Sequence, residues 1–179
     1  MRIKQQMEIA NEVLTKLETF DPTCILAGGA PRDWYMGKPA TDLDFYIYFR
    51  PELSMRYLES IFKDLGFNLT AKELSNPEIP MNYKHNPHLK RVYEQFYSGI
   101  KIQIMQMDMP TFSCVVNLFP LDICMIWYKH SQIFPTKEFM NCIRTHTIHL
   151  MNELYNRKDK YLDKIRKKFP GFKWSKRRK

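Results

Sequence analysis

Apolar residues recur along this chain with the two periods that distinguish helices from strands. From Ile3 to Phe20 they return every three or four residues, which predicts an amphipathic helix that ends at Asp21–Pro22. Further helices are predicted, in chain order, over 31–36, 51–65, 111–118, 136–154 and 159–168. Short runs rich in aromatic and β-branched residues predict strands over 24–27, 42–49, 67–72 and 121–128.

Two more strands give the strongest local signal. Arg91–Tyr97 and Ile100–Met107 alternate between apolar and polar residues and are separated by Ser98–Gly99, which is typical of a hairpin turn. The stretch 75–88 carries three prolines and is expected to be a loop. This order of elements predicts an α+β domain in which helices pack on a mixed β-sheet.

Charge divides the chain into two parts. The 179 residues carry a net charge of +9, and 44% of them are hydrophobic, enough for a sizeable core. Residues 157–179 contain 12 Lys or Arg against two Asp, whereas the first 156 hold 16 basic and 17 acidic residues. We therefore expect a near-neutral domain over 1–156 and a basic C-terminal helix or tail over 157–179. Such a tail favours a polyanionic partner, most commonly nucleic acid, although a solubilising helix explains the charge equally well.

The cysteines and the longest apolar stretches indicate where in the cell the protein is located. The four cysteines have neither metal-binding nor disulfide spacing, which fits a reducing cytoplasm. The N-terminal segment lacks the continuous apolar stretch of a signal peptide, and the longest apolar region, 114–128, is interrupted by polar residues and a proline. A cytoplasmic protein with no membrane partner is expected.

The most informative segment, 25–48, joins a glycine turn to a pair of acids. A strand that ends in Gly28–Gly29 and runs into a helix leaves backbone N–H groups bare, so that phosphate oxygens can approach them closely. Asp42 and Asp44 lie two residues apart on the next strand and therefore point to the same face. Two such carboxylates suit a divalent cation, Mg²⁺ or Mn²⁺, that also binds the phosphates of a substrate.

Each half of this pattern has an ordinary structural explanation when it is taken alone. A Gly-Gly pair is usually a turn, and a D-x-D is usually surface acid. The combination is more specific, because two acids that open an apolar strand are costly unless they are paired or bound to cations.

The whole segment resembles the motif of a known group of enzymes. Its pattern of Gly28–Gly29, Arg32–Asp33, Gly37 and Asp42-Leu43-Asp44 is similar to the G-G-x-V-R-D and D-[IL]-D motifs of bacterial poly(A) polymerases and CCA-adding tRNA nucleotidyltransferases. Ala30–Pro31 replaces the branched residue usual in that group. The resemblance implies a nucleotidyltransferase fold with a polymerase β-like palm. It also implies a transferase that uses an NTP together with Mg²⁺ or Mn²⁺.

The resemblance further implies roles for single residues. Gly28 and Gly29 would bind the incoming triphosphate, while Asp42 and Asp44 would ligate the metal. Arg32 and Asp33 would lie in the wall of the site, with Arg32 near phosphate; a scaffold salt bridge between the two is an equally good interpretation. Lys38 is a weaker candidate for phosphate contact, because turn lysines are more often solvated.

A second and weaker match begins at Asp122. The run Leu121-Asp122-Ile123-Cys124-Met125 resembles the R-D-F-T-[IV]-N-A segment of the same group, without its arginine. The match implies that Asp122 contacts the ribose or completes the metal shell, and a strand-edge acid is the alternative. The strand over 100–107 offers Gln103 rather than a third carboxylate, and Asp108 follows at its end.

The enzymes of that group continue with helical domains that select the base and hold tRNA. This chain resembles instead the compact stand-alone head-domain proteins encoded by large bacteriophages. Acceptor binding would then fall to the head, to a partner or to the basic tail, where aromatic and basic residues interleave. The candidate nucleic-acid-binding residues of the tail are Arg166, Lys167, Lys168 and Trp174. The alternative is that the tail aromatics dock the last helix on the body.

Two functions from different classes are therefore carried forward. The first is a template-independent nucleotidyltransferase that adds a nucleoside monophosphate to an acceptor hydroxyl, with an RNA 3′ end, and tRNA in particular, as the leading acceptor. A protein or a small molecule is the alternative acceptor. The second is a non-catalytic nucleic-acid-binding module on the same fold, which Gln103 favours and which the intact glycine pair and both aspartates oppose.

Overall fold

The computed structural model describes residues 1–48, 55–72, 86–109, 112–151 and 160–176. Its helices are α1 Ile3–Glu18, α2 Gly29–Tyr35, α3 Met55–Asp64, α4 Phe112–Asn117, α5 Lys137–Thr145 and α6 Lys160–Lys168, with a 3₁₀ turn at Asp122–Cys124. Its strands are β1 Ile25–Ala27, β2 Asp42–Tyr48, β3 Thr70–Lys72, β4 Leu89–Tyr97, β5 Ile100–Met107, β6 Ile126–Lys129, β7 Gln132–Pro135, β8 Thr147–Leu150 and β9 Lys173–Lys176. The predicted loop over 75–88 and the start of the predicted helix over 51–65 fall mostly outside the described residues.

Seven strands form one mixed sheet in the order β3-β4-β5-β2-β1-β6-β7. Neighbouring strands are antiparallel except β2 and β5, which run parallel. The mixed sheet and the β4–β5 hairpin that the sequence predicted are confirmed. Ser98 and Gly99 form the hairpin turn with positive φ angles of 48° and 84°, as a tight two-residue turn requires.

The two faces of this sheet differ in what covers them. Leu43, Phe45 and Ile47 of β2 point into a core that α1 and α3 cover. Tyr46 points to the opposite face, where α4 packs on the C-terminal half of β2 and β5. Side chains alternate along a strand, so Asp42 and Asp44 lie on the same face as Tyr46. We call this the site face.

The C-terminal part of the chain corrects one prediction. The helix predicted over 136–154 ends at Thr145, because His146 takes a left-handed conformation with φ 49°, and β8 follows. Strand β8 pairs in parallel with β9, and Ile148 is buried beside Leu162 and Ile165 of α6. Pairing between segments this far apart in sequence leaves no local signal, so the periodicity alone gave a helix that was too long.

A second correction concerns 121–128, where one continuous strand was predicted. Asp122–Cys124 instead forms a 3₁₀ turn, and β6 begins at Ile126. The turn leaves Asp122 only 2% exposed, in contact with His149 of β8. A buried carboxylate needs hydrogen-bond donors, and they come here from β8, which lies far along the chain.

Two smaller expectations are also addressed by the structure. All four cysteines are free, in agreement with the absence of a disulfide framework. Within the described part of the chain, no helix is both long enough and apolar enough to cross a membrane.

Candidate active site

The glycine turn between β1 and α2 depends on Gly28. This residue has φ +83°, its N–H donates to the carbonyl of Ile126 at 2.9 Å, and its carbonyl accepts from the N–H of Arg32 at 3.3 Å. A methyl group added at Gly28 would lie 3.6 Å from the Phe119 ring, which is ordinary contact. The backbone conformation, rather than lack of space, therefore requires glycine here.

Gly28→Ala and Gly29→Ala form a matched pair of substitutions. Gly28→Ala should lower the free energy of unfolding by about 1–3 kcal/mol, because an L-residue is strained at this φ. Gly29 begins α2 in an ordinary helical conformation, and a methyl group there would lie 3.8 Å from Nη2 of Arg32. Gly29→Ala should therefore leave stability unchanged or slightly raised. Urea unfolding of both variants tests this, and equal losses of stability would contradict it.

The two acids lie beside this turn. Strands β1 and β2 pair Ile25 with Tyr46 and Leu26 with Phe45. Continued by one residue, this register sets Ala27 opposite Asp44, so Asp44 is adjacent to the residue that precedes Gly28. Both acids are half-buried, and Asp42 accepts a hydrogen bond from the Thr41 hydroxyl at 3.1 Å. The carboxylates thus share a face and border the glycine turn.

On the other side of β2, the row through Asp44 continues into amide and acid groups. Gln103 of β5 is the register partner of Asp44, and Glu94 of β4 is the partner of Gln103. Nε2 of Gln103 donates to Glu94 at 3.1 Å. Glu94 also forms ion pairs with Lys72 at 2.6 Å and Lys101 at 2.8 Å. A neutral amide therefore occupies the position beside Asp44 at which a third carboxylate would lie.

These contacts lower the pKa of Glu94 below its ordinary value of 4.5: burial alone would raise it, but hydrogen bonds from Lys101 and Lys72 outweigh that effect. A carboxyl group whose pKa is lowered in the folded state stabilises the fold at pH values above its ordinary pKa. This stabilisation is lost as the pH falls through the pKa of the folded state. Glu94→Gln should therefore cost about 0.5–1 kcal/mol at about pH 7 and almost nothing at about pH 3. Urea unfolding at the two pH values measures the difference. A constant cost across the range would show that the charge of Glu94 is not responsible.

Behind the turn, Arg32 and Asp33 of α2 form a buried ion pair. They are 4% and 3% exposed, and Nε of Arg32 lies 2.9 Å from Oδ1 of Asp33. The guanidinium also donates to Sγ of Cys124 at 3.4 Å and lies 5.2 Å from the centre of the Phe169 ring. Oδ2 of Asp33 accepts from the Lys168 ammonium. These contacts support the interpretation of Arg32 and Asp33 as a salt bridge of the scaffold. A phosphate contact of Arg32 stays a prediction.

The other predicted site residues lie in different surroundings. Lys38 is exposed, in the turn after α2. Asp122 accepts from the backbone N–H and the ring Nδ1 of His149, at 3.0 and 2.7 Å. Burial raises the pKa of Asp122, and the hydrogen bonds from His149 offset this only in part. The described contacts do not join Asp122 to Asp42 or Asp44, and its catalytic role remains a prediction.

Asp108 follows the C-terminal end of β5, whereas Gln103 lies near the middle of that strand. The two residues are five positions apart along the chain, which corresponds to about 16 Å in extended backbone. Asp108 lies 2.9 Å from Nδ1 of His88, within hydrogen-bond distance, and forms an ion pair with Lys90 at 2.6 Å. The fold therefore keeps Asp108 away from the acid pair.

The basic tail is folded onto the domain over its described part. Lys168 bonds to Asp33, and Phe169 is buried against Arg32. The Arg166 guanidinium lies 4.8 Å from the centre of the Trp174 ring. Phe169 therefore docks on the body of the domain, as the alternative interpretation of the tail aromatics predicted. Nucleic-acid binding by Arg166, Lys167, Lys168 and Trp174 stays a prediction.

In a comparison with solved structures, the chain is similar to several CCA-adding enzymes. A CCA-adding enzyme in complex with ATP superposes with a TM-score of 0.60 and 13% identity, over 96% of this chain and 39% of that one. A complex with CTP gives 0.56 and 12%, over 98% and 43%. The Thermotoga maritima CCA-adding enzyme with tRNA gives 0.58 and 12%, over 98% and 42%. No family model and no curated protein sequence matches the chain.

The chain has the nucleotidyltransferase fold. The fold class that the sequence predicted is therefore confirmed. The chain spans between 39% and 43% of the length of these three enzymes. In this nucleotidyltransferase fold, the glycine turn and the acid pair are brought together by neighbouring strands β1 and β2.

Sequence reasoning missed two features of the site. The pairing of Gln103 with Glu94 could have been predicted from the sequence. A two-residue turn at Ser98–Gly99 fixes the register of the hairpin and sets the two residues opposite each other. The link from Lys168 to Asp33 joins residues 135 positions apart. No local pattern encodes that contact.

Proposed function

We propose that this protein is a metal-dependent nucleotidyltransferase, which transfers a nucleoside monophosphate from an NTP to an acceptor hydroxyl. The observation that carries the proposal is the placement of Asp42 and Asp44 on one face of β2, with Asp44 in register with the residue before Gly28. One triphosphate can therefore meet both the glycine turn and a cation held by the two carboxylates.

The acid pair suits a magnesium or manganese ion. Two half-buried carboxylates on one face supply hard oxygen ligands, and the phosphates of the substrate and water would complete the shell. In the described part of the chain, no cluster of three or more His, Cys, Asp or Glu side chains is arranged for a metal. The phosphates of the substrate would supply part of the coordination, and the bound ion would stabilise charge on those phosphates.

The reaction follows from this arrangement. The acceptor oxygen forms a bond to the α-phosphorus, the bond from that phosphorus to the α–β bridging oxygen breaks, and the pyrophosphate leaves with the electron pair. The proton of the acceptor hydroxyl passes to water or to a carboxylate of the pair. The glycine turn holds the leaving phosphates, and Arg32, whose Nη2 would lie 3.8 Å from a methyl group at Gly29, adds positive charge behind them.

We propose an RNA 3′ end, with tRNA as the leading case, as the acceptor. The similar structures are CCA-adding enzymes described with ATP, with CTP and with tRNA, and the net charge of +9 favours a polyanion. The chain spans about two fifths of the length of those enzymes. We assign base selection and acceptor binding to residues of this chain, including those of 157–179, or to a partner, and we propose a cytoplasmic location.

The second candidate is a nucleic-acid-binding module without catalysis. Gln103 favours it, because a neutral amide stands beside Asp44 in place of a third acid. Incubating the protein with each labelled NTP, total RNA, and Mg²⁺ or Mn²⁺ separates the two. Metal-dependent transfer of label to RNA supports the enzyme. Binding of RNA that needs no metal and gives no labelled product supports the module.

A further inference from the structure

Phe96 is an apolar side chain in an unusual place. It is 79% exposed, more than the other exposed large hydrophobic residues of the described chain, which range from 40% to 53%. It stands on β4, next to the hairpin turn, and its register partner is Lys101 of β5. Lys101 is in turn the register partner of Asp42. Phe96, Lys101 and Asp42 therefore form one row across the site face.

This row lies on the side of β2 that is away from the glycine turn. The turn follows β1, whereas β5 and β4 lie beyond the other edge of β2. In an in-line displacement the acceptor attacks from the side opposite to the leaving pyrophosphate. If Gly28 and Gly29 hold the leaving phosphates, the acceptor approaches across β5 and β4. Neighbouring strands are spaced by about 4.8 Å, so Phe96 stands about 10 Å from Asp42.

The two side chains of this row have complementary chemistry for a nucleotide. An exposed aromatic ring stacks on nucleobases of any sequence, and a lysine beside it meets the phosphate backbone. The Lys101 side chain is 35% exposed, and its ion pair with Glu94 holds it on the site face. Lys72 of β3, which is in register with Val92, also forms an ion pair with Glu94.

We propose that Phe96 stacks on a base at the single-stranded 3′ end of a nucleic-acid acceptor and that Lys101 contacts the adjoining phosphate. This rests on the proposed nucleotidyl transfer and identifies the acceptor as a nucleic acid rather than a protein or a small molecule. The β4–β5 hairpin is thus an acceptor subsite that belongs to the sheet itself, distinct from the basic tail.

The test uses the full chain and a short single-stranded RNA that carries 2-aminopurine in its last two positions, without NTP. Stacking quenches the fluorescence of this base analogue. Phe96→Leu, which keeps an apolar side chain but removes the ring, should reduce the quenching and raise the Kd by about tenfold to a hundredfold. Phe96→Trp should retain the quenching and the Kd of the wild type. Tyr57→Leu is the matched control, since Tyr57 is 53% exposed on α3, which packs against the other face.

Lys101→Gln provides a second and independent variant. It should reduce the slope of log Kd against log salt by about 0.7, the contribution of one phosphate contact on a single strand. Thermal unfolding checks that each variant is folded. Labelled-NTP transfer to the same RNA is measured in parallel, with the KM for RNA expected to rise in Phe96→Leu and the kcat to change little.

These readouts separate the two proposals. Equal quenching and equal Kd in Phe96→Leu and the wild type, or wild-type protein that does not bind the RNA, would overturn the acceptor subsite even if transfer to another acceptor is active. Quenching that depends on Phe96, without transfer of any nucleotide, would overturn the proposed enzyme and leave a single-strand-binding site on the hairpin.

Discussion

Asp42→Asn and Asp44→Asn should each lower the rate of nucleotide transfer by about a thousandfold or more, equivalent to about 4 kcal/mol or more of transition-state stabilisation. Each substitution removes one of two carboxylates that share a face beside the glycine turn. The shape of the side chain is kept, so the effect reports the loss of charge at the metal. Initial rates with labelled NTP and the best RNA acceptor measure it.

The fold should survive these two substitutions. Both acids are only half-buried, and removing one of two neighbouring like charges relieves repulsion. We expect a Tm equal to or slightly above that of the wild type. Asp64→Asn is the control, because Asp64 is an exposed acid at the end of α3. Transfer that persists at the wild-type rate in either active-site variant would exclude the proposed mechanism.

Asp33→Ala should lower the free energy of unfolding by about 3–5 kcal/mol. The carboxylate is 3% exposed and lies between Arg32 and Lys168, so its removal leaves a buried guanidinium without its closest counter-charge. Urea denaturation at neutral pH measures the loss. The double variant Asp33→Ala with Lys168→Met should recover part of it, because one of the two unpaired cations is then gone.

The matched control is Asp163→Ala. Asp163 pairs with Arg166 at 2.7 Å, but the two side chains are 56% and 38% exposed, and an exposed pair is worth little. A loss in Asp33→Ala as small as that in Asp163→Ala would mean that the buried pair does not hold the tail on α2. Activity should fall with stability in Asp33→Ala, since α2 begins at the glycine turn.

The hairpin and the acid pair are the parts of the site that the sequence predicted most completely. A two-residue turn at Ser98–Gly99 sets the register from Tyr97–Ile100 onwards, and alternation along β2 sets the shared face of Asp42 and Asp44. Both depend on backbone geometry over a few residues. Local periodicity and turn residues are sufficient to predict such geometry.

The predictions that failed depended on distant segments. The region after Thr145 has a helical period, yet Thr147–Leu150 is a strand because Lys173–Lys176 pairs with it. Asp122 heads an apolar run that looks like a strand, yet it forms a turn because His149 supplies the donors for its carboxylate. In both cases a tertiary partner outweighed the local preference.

Turn chemistry and side-chain alternation act over short distances, so the glycine turn and the shared face of the two acids on β2 could be predicted from the chain alone, and the likeness of its motif to a known group of enzymes supplied the fold. The folded domain was needed to place Gln103 beside Asp44, Phe96 in the same row as Asp42, and Lys168 on Asp33. The parallel pairing of β2 with β5 and the docking of α6 create these neighbours. Both join residues far apart in the chain, and burial and strand pairing select such contacts only when the whole domain is folded.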